Sequence, residues 1–218
     1  KSKNSITNTL SILRDNELIN KKDRYKITIQ KKIPVFSGLG GGTSNAAFLI
    51  KYFLKEKISI SLLKVFEKKI GSDLRLFSNK QNFQESLKKV KKFKKKFNFC
   101  FILVYPYLKC STKEIYSRVK NFSSPKIKDP TSIKSKNEFI NFIKKEQNDL
   151  ERISYSKFNV LRKIINCISI QKGCLFSRMT GSGSVCFGMF KNQKLAISGL
   201  RIIKKRFPRY WCVITKTI

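Results

Sequence analysis

The stretch "KKIPVFSGLGGGTSNAAFLIKYFL", Lys31 to Leu54, decides how the rest of the chain is read. Four of the five residues Gly38–Gly42 are glycine, and a dense apolar run follows at once. Ala46, Ala47, Leu49, Ile50, Phe53 and Leu54 recur at helical spacing, so the run predicts a helix. A helix N-terminus has N–H groups without intrahelical partners and a partial positive charge. Glycines ahead of it let further N–H groups converge, because no Cβ blocks close approach. The product is a cradle for phosphate oxygens, and Thr43 and Ser44 add hydroxyl donors at the helix mouth. The alternative, a flexible strand-to-helix connector, needs fewer residues than this. No Lys follows the last glycine, so the loop is not a Walker A loop, and it lacks the spaced dinucleotide pattern. No protein-kinase catalytic loop is present.

Outward from the loop, "NSITNTLSILRDNE" (Asn4–Glu17) reads as an amphipathic helix with Ile6, Leu10 and Leu13 on one face. "RYKITIQ" (Arg24–Gln30) alternates Tyr25, Ile27 and Ile29 with Lys26, Thr28 and Gln30, which predicts a half-buried strand. "SLLKVFEKKI" predicts a helix that stops at Gly71. Leu87–Phe97 is polar and basic and reads as a domain boundary, its Lys88–Phe97 cluster a solvated linker. "FCFILVYP" is an apolar strand ended by Pro106. "STKEIYSRV" opens a helix with Ser111 three residues ahead of Glu114, a capping signature. "FSSPKIKDPTSIKSK" is a loop. Helical pattern returns over about 137–170, with Asn148 and Asp149 read as helix caps. "CLFSRMTGSGSVCFGMF" predicts two strands around the turn Gly181, Ser182, Gly183. A helix over Gln193–Arg206 and a strand in "YWCVITK" follow, and no internal repeat is evident.

The 218 residues are 41% hydrophobic, enough for one large domain or two small ones. The net charge is +35, from 48 basic and 13 acidic residues. Such a balance suits a nucleic-acid-binding module. However, 10 of the basic residues are Arg and 38 are Lys, spread along the whole chain amid Ile, Asn and Phe, a set that AT-rich codons favour. Nucleic acid is therefore not the expected partner, and a module of that kind leaves the glycine loop unexplained. Six Cys form no CxxC pair and there is no His, which argues against a zinc site and removes the usual general base. Acid–base chemistry falls to carboxylates, Lys, Tyr or Cys. Neither a signal peptide nor a membrane span is evident, so a soluble cytoplasmic protein is expected, its oligomeric state open.

"KKIPVFSGLGGGTSNAA" resembles the Pro-x-x-x-Gly-Leu-Gly-Gly-Gly-Ser-Ser-Asp/Asn-Ala-Ala signature of the 4-diphosphocytidyl-2-C-methyl-D-erythritol kinases, within the superfamily of galactokinase, homoserine kinase and mevalonate kinase. Further matches fall in order: "KNSITNTL", "IGSDLRLF", "CSTKEIY", "QNDLE" and "MTGSGSVCFGMF". The resemblance implies an α+β, two-domain small-molecule kinase. Residues 1–92 would be the remainder of an ATP-binding domain and residues 98–218 a ferredoxin-like domain, with the active site in the cleft between them. It implies that Pro34, Val35, Phe36, Ser37, Gly38, Leu39, Gly40, Gly41, Gly42, Thr43 and Ser44 bind ATP, with Asn4 near the adenine and Lys31 near the nucleotide. Asp73 would be the catalytic aspartate, and Thr112, Gly181, Ser182 and Gly183 would lie on the substrate side.

The implied reaction phosphorylates the 2-hydroxyl of the cytidyl substrate with ATP, with Mg²⁺ neutralising charge and no metal ligand assigned to the protein. The implied partners are this cytidine diphosphate sugar-alcohol and ATP, with no membrane. Three departures stand out. Arg75 occupies the place of the family's Pro, and "NFQESLKKV" lacks the usual glycines. The family's opening segment, with a Lys and a Tyr-His pair, has no counterpart here, so the first domain is expected to be incomplete. A non-catalytic nucleotide-binding relative is the reading that this last departure leaves open.

Overall fold

The computed structural model describes residues 4–55, 58–124 and 129–217. Two compact units share the chain: Lys1–Lys32 with Gly40–Lys92 form one, and Ile33–Leu39 with Phe93–Ile218 the other.

In the first unit, α1 (Ser5–Asp15) starts at Asn4, whose side chain accepts from the N–H groups of Ile6 and Thr7. Thr7 returns the favour by accepting from the Asn4 N–H at 2.9 Å, which completes a capping box. α2 (Gly41–Leu54) is the helix that the apolar run predicts. α3 (Ile60–Ile70) is capped by Ser59, which accepts from the Leu62 N–H at 3.2 Å, and it ends at Gly71 with φ 135°. A 3-10 helix, Ser72–Phe77, and a hairpin of β1 (Asn82–Ser86) and β2 (Lys89–Lys92) complete the unit. Ile12 and Leu13 of α1, Ala46, Ala47 and Ile50 of α2, Phe66 of α3 and Leu74 form its core. The two alanines sit on the buried face of α2, where small side chains allow close helix approach.

Two expectations are corrected here. Arg24–Gln30 forms no strand; Ile27 and Ile29 are 37% and 40% exposed. Alternation sets which side chains share a face, but a strand also needs a neighbour to pair its N–H and C=O groups. Among the described residues no strand lies along this segment. The basic cluster Lys88–Phe97 is also not simply a solvated linker. Lys89–Lys92 is a strand, Lys89 and Lys91 both bind Glu85 at 2.6 Å, and Phe93 and Phe97 are buried.

The second unit runs β3 (Cys100–Tyr105), α4 (Thr112–Ser117), α5 (Lys136–Lys145), α6 (Glu151–Lys157), α7 (Asn159–Ser169), β4 (Cys174–Met179), β5 (Cys186–Phe190), α8 (Gln193–Arg206) and β6 (Trp211–Lys216). The helical pattern over 137–170 is thus three helices, broken before Glu151 and at Phe158. The sheet is antiparallel in the order β4-β5-β3-β6. Strand, helices, two strands, helix, strand, with the first and third strands in the middle, is the ferredoxin-like arrangement. Period-two alternation gives β3 two faces. Cys100, Ile102 and Val104 pack with Leu161, Ile164 and Ile168 of α7 and Ala196 and Ile203 of α8. On the other face Phe101 joins Phe97, Phe99 and the Phe139 of α5. A Cβ at Gly188 of β5 would collide with Ile168, so that glycine is what lets α7 lie against the sheet.

All six cysteines are free. Burial pushes the Cys174 and Cys212 thiols up to about 11, as expected of small core side chains.

Candidate active site

In the first unit the glycine loop becomes a helix at Gly40, which has φ 65° and offers no side-chain cap. The first intrahelical bond is Ser44 N–H to the Gly40 carbonyl at 2.8 Å. The N–H groups of Gly41, Gly42 and Thr43 are therefore first-turn donors with no carbonyl behind them in the helix. The positive end of a helix of 14 residues points the same way. Both features favour an anion. A Cβ on Gly42 would lie 3.6 Å from the Ser5 Oγ, so the start of α1, with Asn4 at its cap, flanks the loop.

Asp73 is exposed in the first turn of the 3-10 helix, directly after the φ 135° bend at Gly71. The last residue of the same short helix, Phe77, reaches the loop. A Cβ at Gly40 would meet the Phe77 ring at 3.1 Å. The element that carries Asp73 is thus seated against the base of the glycine loop. It is also tied down from behind by Arg75. The Arg75 guanidinium forms two hydrogen bonds to Glu67 of α3, one of them at 2.9 Å, and donates to the Lys88 carbonyl at 2.9 Å. The Glu67 bonds hold the Arg75 pKa above its ordinary value. Arg75 is therefore anchored by three hydrogen bonds to two partners. Lys31 is exposed.

The leading half of the loop belongs to the second unit. There the Tyr105 hydroxyl donates to the Val35 carbonyl at 3.1 Å, and Lys109 Nζ lies 4.7 Å from the centre of the Phe36 ring. Ser37 is buried, while Val35 and Phe36 are exposed. Gly38 has φ 76°, and a Cβ there would stand 2.5 Å from the Gly183 carbonyl oxygen. The two glycine-rich motifs meet backbone to backbone, and only glycine fits. Thr112 Oγ1 and Ser182 Oγ lie 3.0 Å apart, so two residues expected on the substrate side share a hydrogen bond. Gly183 is itself hemmed in by Met179 and Cys110. Gly181 faces open space.

Asn148 and Asp149 are not N-caps of the following helix. Asn148 accepts from the Leu150 N–H at 3.1 Å and donates to the turn at 179–181, while Asp149 accepts from the Ser123 N–H and hydroxyl. Sequence reasoning missed Phe77, Tyr105 and Lys109. Each acts through a contact with a residue far away in the chain, and nothing local marks it. Among the described residues no group of three or more His, Cys, Asp or Glu side chains could hold a metal, and no helix is long and apolar enough to cross a membrane.

Comparison with known proteins supplies the family. The profile "GHMP kinases N terminal domain" matches residues 4–71, and "GHMP kinases C terminal" matches residues 134–209. A 4-diphosphocytidyl-2-C-methyl-D-erythritol kinase of Pelagibacter ubique is 35% identical over 221 residues, covering 99% of this chain and 76% of the relative. The enzyme of the same name from Wolbachia pipientis is 30% identical, covering 89% of this chain and 69% of its own length. A crystal structure of 4-(cytidine 5'-diphospho)-2C-methyl-D-erythritol kinase shares the fold, with a TM-score of 0.69 over 96% of this chain and 76% of that one, at 19% identity. The chain belongs to the GHMP kinases and, within them, to the 4-diphosphocytidyl-2-C-methyl-D-erythritol kinases.

Proposed function

We propose that this protein transfers the γ-phosphoryl group of ATP to the 2-hydroxyl of 4-diphosphocytidyl-2-C-methyl-D-erythritol, a step of the non-mevalonate route to isoprenoid precursors, in the cytoplasm. The observation that carries the reading is the uncapped glycine start of α2, with the Asp73 element seated through Phe77 against Gly40, the residue just ahead of it. The first-turn N–H groups of Gly41, Gly42 and Thr43 take the phosphates, and Ser44 adds a hydroxyl. The rest of the loop, Pro34 to Gly40, shapes that cradle, with Asn4 and Lys31 on the nucleotide side. Mg²⁺ would enter with ATP and would neutralise phosphate charge. An ion of this kind needs few protein carboxylates.

Asp73 accepts or orients the proton of the attacking hydroxyl as the phosphoryl group moves. Thr112 and Ser182 present paired hydroxyls to the alcohol substrate, and Gly181 and Gly183 keep that turn slim. Residues 1–92 serve the nucleotide and residues 98–218 the alcohol. The test is ATP-dependent phosphorylation of the cytidyl substrate by the protein carrying a family opening segment ahead of residue 1, beside Gly41→Val in the same protein. We expect turnover by the parent. The variant should lose nucleotide binding and keep its circular dichroism spectrum, because the branched side chain fills the space the phosphates need. Unchanged nucleotide affinity in Gly41→Val would sink the loop assignment, and phosphorylation of a different alcohol would sink the substrate assignment.

A further inference from the structure

The turn Gly181-Ser182-Gly183 is not held by its own hairpin alone. Three side chains from one short stretch grip it. Asn148 Nδ2 donates to the Met179 carbonyl at 3.1 Å and to the Gly181 carbonyl at 2.8 Å. Glu151 Oε1 accepts from the Met179 N–H at 2.6 Å. Ser154 Oγ donates to the Ser182 carbonyl at 3.2 Å. Residues three apart share one side of a helix, so 148, 151 and 154 form a row along α6 and the residues before it. Asn148 is itself oriented by the Leu150 N–H, which donates to its Oδ1 at 3.1 Å. That bond fixes which end of the amide faces the turn.

We propose that Asn148, Glu151 and Ser154 are positioning residues for phosphoryl transfer, a clamp through which α6 sets the place of Ser182 and Gly183. The inference rests on the reading that this turn faces the reactants. Its physical basis is that a turn with two glycines has little conformational preference of its own. Without outside bonds Ser182 would not stay 3.0 Å from Thr112, nor would the Gly183 carbonyl stay packed on Gly38. The four clamp bonds satisfy the carbonyls of residues 179, 181 and 182 and the N–H of 179, so they fix the backbone on both sides of Gly181. None of the three side chains needs to touch a reactant to do this.

The test is steady-state kinetics of the full chain with both substrates, together with thermal melting. Asn148→Asp is nearly isosteric and keeps the acceptor for Leu150, but it turns a carboxylate oxygen on two carbonyls. We expect kcat/KM for the cytidyl alcohol to fall roughly 10- to 100-fold, as for a small misplacement of a reacting group. KM for ATP should change far less. Ser154→Ala should show a smaller fall in the same direction, and it answers the question if Asn148→Asp does not fold. The effects of Asn148→Asp and Ser182→Ala should be non-additive, because the first acts through the second. A merely structural role would lower the melting temperature and leave the two effects additive, which would overturn the proposal. So would normal kinetics in both Asn148→Asp and Ser154→Ala while Ser182→Ala and Thr112→Ala are impaired. If Ser182→Ala and Thr112→Ala are themselves unimpaired, the turn does not serve the substrate, and the underlying reading fails first.

Discussion

Asp73 is the one carboxylate on the short helix Ser72–Phe77, and its exposure leaves it able to meet a hydroxyl. Asp73→Asn keeps the shape and removes the charge. Turnover of the full chain should fall by roughly 10²-fold or more, as for loss of a general base, while KM values and melting stay near those of the parent. Near-normal turnover would reduce Asp73 to a turn residue. Gly38 makes a different demand on the chain. An alanine there would meet φ 76° and the Gly183 oxygen together. Gly38→Ala should cost about 1–3 kcal/mol of stability, typical of forced left-handed backbone, as read from urea unfolding. Arg75→Ala removes three hydrogen bonds, two of them to a carboxylate. A loss of about 1.5–3 kcal/mol is expected, the range for hydrogen bonds to charged groups.

At the scale of elements, α4 and α6 are joined by Glu114, which receives Lys157 Nζ at 2.5 Å and Arg118 at 2.9 Å. The hydrogen bond from Lys157 is the main reason that the Glu114 pKa lies below the ordinary 4.5. A lowered carboxylate pKa means that the folded state binds the proton less well than the unfolded state. The stabilisation is therefore present above pH 4.5 and disappears as pH falls through the lowered value. Melting temperatures of the parent and Glu114→Gln should differ at pH 7 and converge once the pH has fallen through the lowered Glu114 value. A gap that persists at low pH would mean that packing, not charge, joins the two helices. The elements also differ in how openly the residues announce them. Helices with their own caps, at Asn4, Ser59, Ser111, Ser135 and Asn192, start where the cap residues stand. The alternation in Arg24–Gln30 has no such local closure, and it stays without a strand.

For the whole molecule the net charge of +35 is the dominant fact. Like charges spread over one chain repel, and salt screens them over about 10 Å at 0.1 M. The melting temperature should rise as sodium chloride goes from 10 to 200 mM, estimates on the order of the ionic strengths at which the screening length falls below the spacing of surface charges. No rise would mean that the lysines sit too far apart to matter. The same experiment with random duplex DNA tests the nucleic-acid alternative, since binding that is strong and steeply salt-dependent is its signature.

The division between what can be read along the chain and what cannot follows the range of the interactions. Caps, the glycine loop before α2, the bend at Gly71 and the hairpin around Gly181–Gly183 depend on bonds spanning a few residues, and the residue types needed for them stand side by side. The candidate site was legible to the same extent: the loop and Asp73, the residues proposed for it, stand in short motifs. Pairings between remote residues left no such mark. Thr112 and Ser182 are 70 residues apart in the chain, and nothing near either names the other. Nor does Gly38 announce the carbonyl of Gly183, Arg75 its hold on Glu67 and Lys88, or Asn148 its grip on the distant turn. Such contacts exist only once folding brings the elements together, because a hydrogen bond or a close backbone approach acts over a few ångströms of space whatever the distance along the chain.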